Sequence, residues 1–341
     1  MDTLITDHSH KQTIQHGGDP KAVEARFGVP KDGWLDLSTG INPVAYPLPP
    51  VPGEMLAKLP LQADLDALLD AARRAYGVPE AAAIIASPGT QALIQLAPTL
   101  FAPSSVSIMG PTYGEHAPAW AAAGHRVEDV RSICAQAAQP APFGVVVHPN
   151  NPDGRTQTIE GLLAFSEELH DRGGMLVVDE AFADVTPELS VTPHAGGEGL
   201  LVLRSFGKFF GLAGVRLGFA ITTPEIAEHL AAKLGPWSVS GPALWAGTQA
   251  LNDRDWIQAT RVRLKADAKR LDGLMERAGL KVVGGTDLFR LGESAGAPVL
   301  YEKLGQAGIL VRPFDYQPKW LRFGLPGAPL EWARLDAALS A

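Results

Sequence analysis

The feature that most constrains the fold is a regular alternation, after residue 60, of amphipathic helical stretches with short β-branched runs. The strand-like runs read AIIAS, SVSIM, FGVVVHP, MLVVDEA, LLVLRSF and RLGFAITT. Such alternation is typical of a parallel sheet covered by helices on both faces. The sequence therefore predicts a doubly wound, mainly parallel α/β fold, with its first long helix over residues 64–76.

A change of pattern near residues 234–236 predicts a domain boundary. A long, charged amphipathic helix follows over about residues 255–278, and strands then alternate with helices to the end. We predict a large domain over residues 58–235 and a smaller α/β domain formed by residues 1–57 together with 236–341. The first 60 residues are rich in proline and glycine, so their composition alone would also suit a linker or a tail.

Charge and composition argue against several classes of function. The 341 residues include 37 acidic and 29 basic side chains, a net charge of −8, without a long basic run, so we expect no nucleic-acid partner. The N-terminus lacks a basic segment followed by an apolar one, and no stretch reaches the roughly 18 apolar residues of a membrane span. We therefore expect a cytoplasmic protein with no membrane partner. One cysteine, Cys134, cannot form an internal disulfide or a cysteine-rich metal site, and we expect no metal.

The segment SFGKFFGLAGVRLGF carries an amine, a hydroxyl and a guanidinium between two apolar strands. Ser205 stands three residues before Lys208, and Arg216 stands eight residues after it. A lone lysine is more simply explained as a solvated surface residue. With these neighbours, however, one anion could be bound beside a reactive amine, and an aldehyde cofactor that carries a phosphate fits that arrangement.

Polar and aromatic side chains also follow other predicted strands, at the edge where ligands of open α/β sheets collect. Asp179 could keep a pyridine nitrogen protonated, so that the ring accepts electrons. Asn151 could donate its amide to a ring oxygen, and Tyr113 could stack on the ring. Each has a plainer alternative: a helix-capping acid, an Asn-Pro turn and a core tyrosine.

Gly89 and Thr90 open a helix in SPGTQALIQL, where free backbone N–H groups attract a phosphate. An ordinary helix start would look the same. The ordered set of phosphate site, stacking ring, amide, carboxylate and lysine nevertheless predicts one cofactor site.

The motifs SPGTQ, PTYGEH, HPNNPDG, VVDEAFAD and SFGKFFGLAGVRLGF resemble those of the fold-type I enzymes, whose fold is that of aspartate aminotransferase, and especially the histidinol-phosphate aminotransferases. The resemblance implies that pyridoxal 5′-phosphate is the cofactor, that Lys208 binds it covalently, and that Asp179 pairs with its ring nitrogen. It also implies a homodimer. The cofactor-binding set that it implies is Gly89, Thr90, Tyr113, Asn151, Asp179, Ser205, Lys208 and Arg216.

The ends of the chain indicate a narrower group. HGGD, WLDLSTGINP, GILVRP and LRFGLP are similar to segments of the threonine-phosphate decarboxylases of cobalamin biosynthesis. This resemblance implies decarboxylation of O-phospho-L-threonine, a small phosphorylated amino acid, with Lys208 and Asp179 as catalytic residues. The substrate-binding set that it implies is His16, Gly17, Gly40, Asn151, Arg312 and Arg322.

Two positions depart from the aminotransferase pattern, and two other functions stay open. Phe182 and Leu59 stand where many aminotransferases have tyrosines, and Tyr46 is a substitute to consider for the second. The chief alternative function is transamination of histidinol phosphate, which would use the same cofactor residues. A non-catalytic binding protein is the other alternative, against which the presence of Lys208 and Asp179 argues.

Overall fold

The computed structural model describes residues 16–340. Its strands are β1 (Leu35–Asp36), β2 (Ala83–Ser87), β3 (Ser105–Met109), β4 (Arg126–Val130), β5 (Phe143–Val147), β6 (Met175–Asp179), β7 (Leu200–Ser205), β8 (Gly218–Thr222), β9 (Lys281–Thr286), β10 (Phe289–Glu293), β11 (Ile309–Leu310), β12 (Arg312–Pro313) and β13 (Trp320–Gly324). Its α-helices are α1 (Glu24–Phe27), α2 (Gly53–Ala57), α3 (Gln62–Tyr76), α4 (Thr90–Leu96), α5 (His116–Ala122), α6 (Ile133–Ala137), α7 (Ile159–Asp171), α8 (Phe206–Phe209), α9 (Pro224–Leu234), α10 (Gly241–Asn252), α11 (Arg254–Arg277), α12 (Ala297–Gln306) and α13 (Pro329–Ser340). Among residues 16–340, each helix is either too short or too polar to span a lipid bilayer.

The central sheet has seven strands in the order β2-β8-β7-β6-β5-β3-β4. Strand β8 runs antiparallel to its neighbours β2 and β7, and the other pairs are parallel. Every residue of β5 and β6 is buried, as expected for strands covered by helices on both faces. The prediction of a doubly wound, mainly parallel α/β fold is confirmed.

A second, antiparallel sheet has the order β12-β13-β10-β9, and a short parallel pair joins β1 to β11. In that pair Leu35 lies opposite Ile309, so the N-terminal segment is tied to the C-terminal part of the chain. The segment after Asp19 is therefore integrated into the fold and does not form a tail. We retain, as a proposal, the division into residues 58–235 and a smaller domain from 1–57 and 236–341.

The long helix α11 shows how sequence sets the element boundaries. The Asp253 side chain accepts a hydrogen bond from the Trp256 backbone N–H at 3.0 Å, an N-cap that typically contributes about 1 kcal/mol. Its buried residues, at three- and four-residue spacing, are Thr260, Leu264, Ala268, Leu271, Leu274 and Met275. The helix begins at Arg254 and ends at Arg277, close to the predicted 255–278, whereas α3 begins at Gln62, two residues earlier than predicted.

Candidate active site

The carboxyl ends of β2, β5, β6 and β7 meet around one cavity, called the active-site cavity below. It is lined by Gly89, Thr90, Gln91, Ile94, Tyr113, Val147, Asn151, Asp179, Ala181, Phe182, Ser205, Gly207, Lys208, Ala213, Arg216 and Leu217. The structure therefore brings together all the residues that the sequence assigned to the cofactor. This is the edge of an open α/β sheet at which ligands bind.

One end of the cavity is shaped for an anion. Gly89 has a left-handed backbone (φ +87°), and a Cβ atom there would lie 2.7 Å from the Arg216 guanidinium, so a larger residue would separate the two. Arg216 itself has φ +56°, a conformation that costs a non-glycine residue roughly 1–2 kcal/mol. Thr90 begins α4, where backbone N–H groups lack helical partners, and its hydroxyl donates to the Arg204 carbonyl at 3.1 Å. Backbone donors and a guanidinium thus face the same point, as a phosphate requires.

Asp179 ends β6 and is held in place from two sides. Its Oδ2 lies 2.9 Å from Nε2 of His116, and its Oδ1 accepts from the Ala181 backbone N–H at 3.1 Å. Both the carboxylate and the imidazole are almost completely buried. The sequence gave no role to His116, although it closes the same PTYGEH motif as Tyr113. Such a fixed, buried carboxylate can stabilise a positive charge on a nitrogen in the cavity.

The loop after β5 is fixed by Asn150, which the sequence analysis did not single out. Its buried side-chain amide donates to the Pro111 carbonyl at 3.0 Å and to the Asp153 carboxylate at 2.7 Å. These bonds hold the turn in which the next residue, Asn151, lines the cavity. The side-chain oxygen of Asn151 accepts a hydrogen bond from Arg322.

Tyr113 forms an aromatic wall of the cavity. Its hydroxyl donates to the Gln91 side-chain oxygen at 3.2 Å. Burial, reinforced by the negative charge of Glu115, raises the pKa of Tyr113 to about 12. The side chain is thus a neutral phenol that presents a ring face, suited to stacking.

Lys208 lies on the short helix α8, and its environment disfavours the charged amine. Burial lowers the pKa of Lys208 to about 8, and the positive charges of Arg322 and Arg216 act in the same direction. Asp179 opposes this shift. An amine with a pKa near 8 has an appreciable neutral fraction at neutral pH, and the neutral form is the one that attacks an aldehyde.

The segment that carries Lys208 is held by the N-terminal part of the chain. The Asn42 backbone N–H donates to the Lys208 carbonyl at 2.9 Å, and its side chain donates to the Phe209 carbonyl at 2.8 Å. Gly211 allows this contact, since a Cβ atom there would lie 2.7 Å from Cα of Ala45. Asn42 belongs to the STGINP motif, but the sequence alone did not reveal this role.

Arg322 and Arg312 are neighbours across the β12–β13 pair. Arg322 donates to the Ser38 carbonyl at 2.7 Å, and its guanidinium lies 5.2 Å from the centre of the Phe289 ring. Its buried Nε has no hydrogen-bond partner within residues 16–340. Burial, and then the charge of Arg312, lower the pKa of Arg322 to about 10. An anion placed beside this guanidinium would relieve both unfavourable effects.

His16 and Gly17 lie outside the lining of the active-site cavity but next to it. His16 Nε2 is 2.8 Å from Oε1 of Glu115, and its ring centre is 6.3 Å from that of Tyr113, which lines the cavity. Gly17 lies against Ser38, where a Cβ atom would come within 2.4 Å of the carbonyl oxygen. The HGGD motif thus lies beside Tyr113 and beside Ser38, whose carbonyl accepts a hydrogen bond from Arg322.

Gly40 lies behind the cavity wall, where a Cβ atom would be 2.9 Å from the ring of Phe182. Phe182 lines the cavity and offers no hydroxyl there. Leu59, the other residue that stands where many aminotransferases have a tyrosine, is 62% exposed. Tyr46 is not among the cavity-lining residues, and its hydroxyl donates to the Asp253 carboxylate at 3.2 Å.

A buried ion cluster adjoins Asp179 and includes the next residue in the chain, Glu180. Arg204 binds Glu180 through Nη1 and Asp184 through Nη2, each at 2.9 Å, and all three side chains are buried. The Ser190 hydroxyl and the Val191 backbone N–H donate to the Glu180 carboxylate at 2.5 and 2.6 Å. Both acids belong to the motif DEAFAD, which the sequence analysis quoted without giving them a role. This Arg204 cluster fixes the chain on both sides of the turn that follows β6.

The residues present fit the cofactor expected from the sequence. A bare backbone at Gly89 beside Arg216 suits its phosphate, the buried carboxylate of Asp179 suits its ring nitrogen, and the amine of Lys208 suits its aldehyde. Within residues 16–340, no group of three or more histidine, cysteine, aspartate or glutamate side chains is arranged to hold a metal ion.

Comparisons with known proteins agree with this geometry. The sequence model of the family "Aminotransferase class I and II" matches residues 61–340. The chain is 42% identical to a threonine-phosphate decarboxylase of Pseudomonas aeruginosa over 96% of this chain and 97% of the relative. It is 46% identical to a threonine-phosphate decarboxylase of a Sinorhizobium species, over 96% and 98%. A solved histidinol-phosphate aminotransferase from Sinorhizobium meliloti, in complex with pyridoxal-5′-phosphate, superimposes with a TM-score of 0.81 and 21% identity, covering 99% of this chain and 97% of that one.

Proposed function

This chain belongs to the class I and II aminotransferase family, and we propose that it is a threonine-phosphate decarboxylase that acts in the cytoplasm with pyridoxal 5′-phosphate as its cofactor. Its substrate is O-phospho-L-threonine, and its products are carbon dioxide and (R)-1-aminopropan-2-ol O-phosphate, an intermediate for cobalamin biosynthesis. The similarity to two decarboxylases over nearly the whole chain supports this assignment.

The observation that carries the proposal is a pair of neighbouring guanidiniums, of which Arg322 is close enough to Lys208 for its positive charge to lower the pKa of the amine. Arg312 on β12 and Arg322 on β13 lie opposite each other, and Arg322 donates a hydrogen bond to Asn151, which lines the cavity. A substrate with both a carboxylate and a phosphate needs more than one cation, and arginine binds such oxyanions bidentately. We assign the carboxylate to Arg322 and the phosphate to Arg312, and we assign His16 and Gly17, which lie beside Tyr113 and Ser38, to substrate binding.

In the reaction the bond between Cα and the carboxylate carbon breaks, and carbon dioxide leaves. The bound cofactor supplies an electron sink for the pair of electrons left at Cα. Asp179 would keep a positive charge on the ring nitrogen of that cofactor, and Arg322 would orient the departing carboxylate. The Lys208 amine, with its pKa lowered to about 8, is suited to return a proton to Cα.

The direct test is to incubate the cofactor-loaded enzyme with O-phospho-L-threonine and to measure carbon dioxide and the amino alcohol phosphate together. We expect both products in equal amounts, and much less turnover of unphosphorylated L-threonine, since only one of its two anionic groups remains. Histidinol phosphate with 2-oxoglutarate is run in parallel. Glutamate formed there, with no carbon dioxide from phosphothreonine, would instead identify an aminotransferase and reject the proposed substrate.

We also propose that the enzyme is a homodimer. Several large apolar side chains are exposed, among them Leu56 (73%), Leu59 (62%), Leu61 (60%) and Trp237 (61%). Leu61 and Trp237 line one largely apolar groove, and a contiguous apolar surface of this kind commonly marks a protein interface.

A charge within this groove should separate the subunits. We expect Trp237→Asp to convert the protein from dimer to monomer in sedimentation velocity at micromolar concentration. Aspartate tolerates the left-handed backbone at this position (φ +55°). The substitution should therefore leave the backbone undisturbed, so that loss of the dimer reports on the interface. Val262→Asp is the matched control, because Val262 is 70% exposed on helix α11 and should leave the dimer intact. A monomeric wild-type protein would contradict the proposal.

A further inference from the structure

A second cavity lies on the other side of the segment that carries Lys208. It is enclosed by the ends of α3 and α10, the start of α11 and the residues that follow Lys208. Its lining residues are Arg74, Ala75, Tyr76, Asp184, Phe209, Phe210, Leu251, Asn252, Arg254, Asp255, Ile257, Gln258 and Arg261. It shares no lining residue with the active-site cavity.

The Tyr76 side chain, which is 7% exposed, lines this second cavity with its ring centre 4.3 Å from the Arg204 guanidinium. Oδ2 of Asp184, on a side chain that is 4% exposed, has no hydrogen-bond partner within residues 16–340. The other oxygen of Asp184 is bound to Arg204. An unpaired buried carboxylate oxygen is unfavourable unless a donor satisfies it. A ligand that carries a hydrogen-bond donor, such as an ammonium group, would satisfy this carboxylate oxygen.

The rim of the second cavity is rich in positive charge. Arg74 and Arg254 are exposed there, and Arg261 lies deeper, where its Nε donates to the Asp184 carbonyl at 2.7 Å. Asp255 is the one exposed acid among the lining residues. Three guanidiniums against one exposed carboxylate make this rim attractive to an anion.

We propose that the second cavity binds a small zwitterion, with its anionic group at the arginines and its ammonium group at Asp184 and Tyr76. Helices α3 and α10 both end at the cavity, and the carbonyl ends of helices favour a positive charge. Its lining contains no lysine, cysteine, serine or histidine, and the proposed role is binding without chemical change. Phe209 and Phe210, which directly follow Lys208, form part of its wall. This inference does not depend on the reaction proposed for the active site.

The test is calorimetric titration of the cofactor-loaded enzyme with O-phosphoethanolamine, a small molecule with one phosphate and one ammonium group. We expect the double variant Arg74→Ala/Arg254→Ala to bind one molecule fewer per chain than the wild type, or to bind that molecule at least 10-fold more weakly. The matched control is Arg126→Ala/Arg131→Ala, which removes two exposed arginines elsewhere and should bind as the wild type does. Unchanged stoichiometry and affinity in the Arg74/Arg254 variant, or no binding outside the active site, would overturn the proposal.

The ammonium subsite is tested separately with inorganic phosphate and with Asp184→Asn. Inorganic phosphate should bind at least 10-fold more weakly than O-phosphoethanolamine at this site, because it leaves Asp184 unpaired. Asp184→Asn should remove that preference, and thermal unfolding establishes that the variant is folded. Should that variant fail to fold, Tyr76→Phe replaces it with the same expected direction. Equal affinity of the wild type for the two ligands would reject the ammonium subsite.

Discussion

Replacing Lys208 with alanine is expected to lower decarboxylation by about 10⁴-fold or more, at the upper end of what a single acid–base group contributes. The residue has two functions in the proposal, since it binds the cofactor and returns the proton to Cα. The structure supports both, because Lys208 lines the cavity among the predicted cofactor residues and has a pKa of about 8. Alanine removes the amine without disturbing the backbone bond from Asn42 to the carbonyl of residue 208.

Covalent attachment gives this prediction a readout that does not depend on turnover. After treatment with borohydride, the wild-type protein should retain one cofactor per chain in the mass spectrum of the denatured chain. The Lys208→Ala variant should retain none, whereas Lys233→Ala, an exposed lysine on α9, should behave as the wild type. Turnover of the variant within a factor of ten of the wild type would remove Lys208 from the mechanism.

The residues that the sequence revealed are those that follow predicted strands. Their position in the chain already determines their position in space, because parallel strands end at a common edge. Gly89, Tyr113, Asn151, Asp179 and Lys208 could therefore be assigned to one site before any contact was known. The same reasoning predicted the fold class, since the alternation of helices and strands is a local signal.

The residues that the sequence did not reveal act through contacts between distant segments. His116 and Asp179 are 63 positions apart, and Asn42 binds the carbonyl of a residue 167 positions away. Nothing in the local pattern of a histidine or an asparagine specifies such a partner. Arg322 was assigned to the substrate by resemblance, but its bond to Asn151, across 171 positions, required the structure.

The Arg204 cluster was missed for a related reason. A sequence shows that DEAFAD contains acids, but it does not show that two of them are buried beside one arginine. Burial raises the pKa of Asp184, and the charge of Arg204 opposes that increase. Arg204 thus supplies its guanidinium to two buried carboxylates at once.

Arg204→Leu is accordingly expected to reduce the free energy of unfolding by about 3–5 kcal/mol, the usual cost of removing one partner of a buried ion pair. Leucine leaves the buried Glu180 without its guanidinium partner, and Asp184 keeps only the charge of Arg261. Arg277→Leu is the control, because it removes an exposed pair with Asp336 and should cost less than about 1 kcal/mol. Unfolding in urea, followed by fluorescence for the cofactor-loaded proteins, measures both changes.

The pH dependence identifies the cause of this loss. Without Arg204, burial should raise the pKa of Asp184 further in the folded state, so the folded variant takes up a proton at a higher pH than its unfolded chain. Its stability should then increase as the pH falls toward that raised value, and the difference from the wild type should shrink at mildly acidic pH. Adding Glu180→Gln and Asp184→Asn to Arg204→Leu should remove this pH dependence and recover part of the stability, because no buried charge remains. A deficit that is equally large at all pH values, and unchanged in the triple variant, would show that lost packing, and not an uncompensated charge, destabilises the protein.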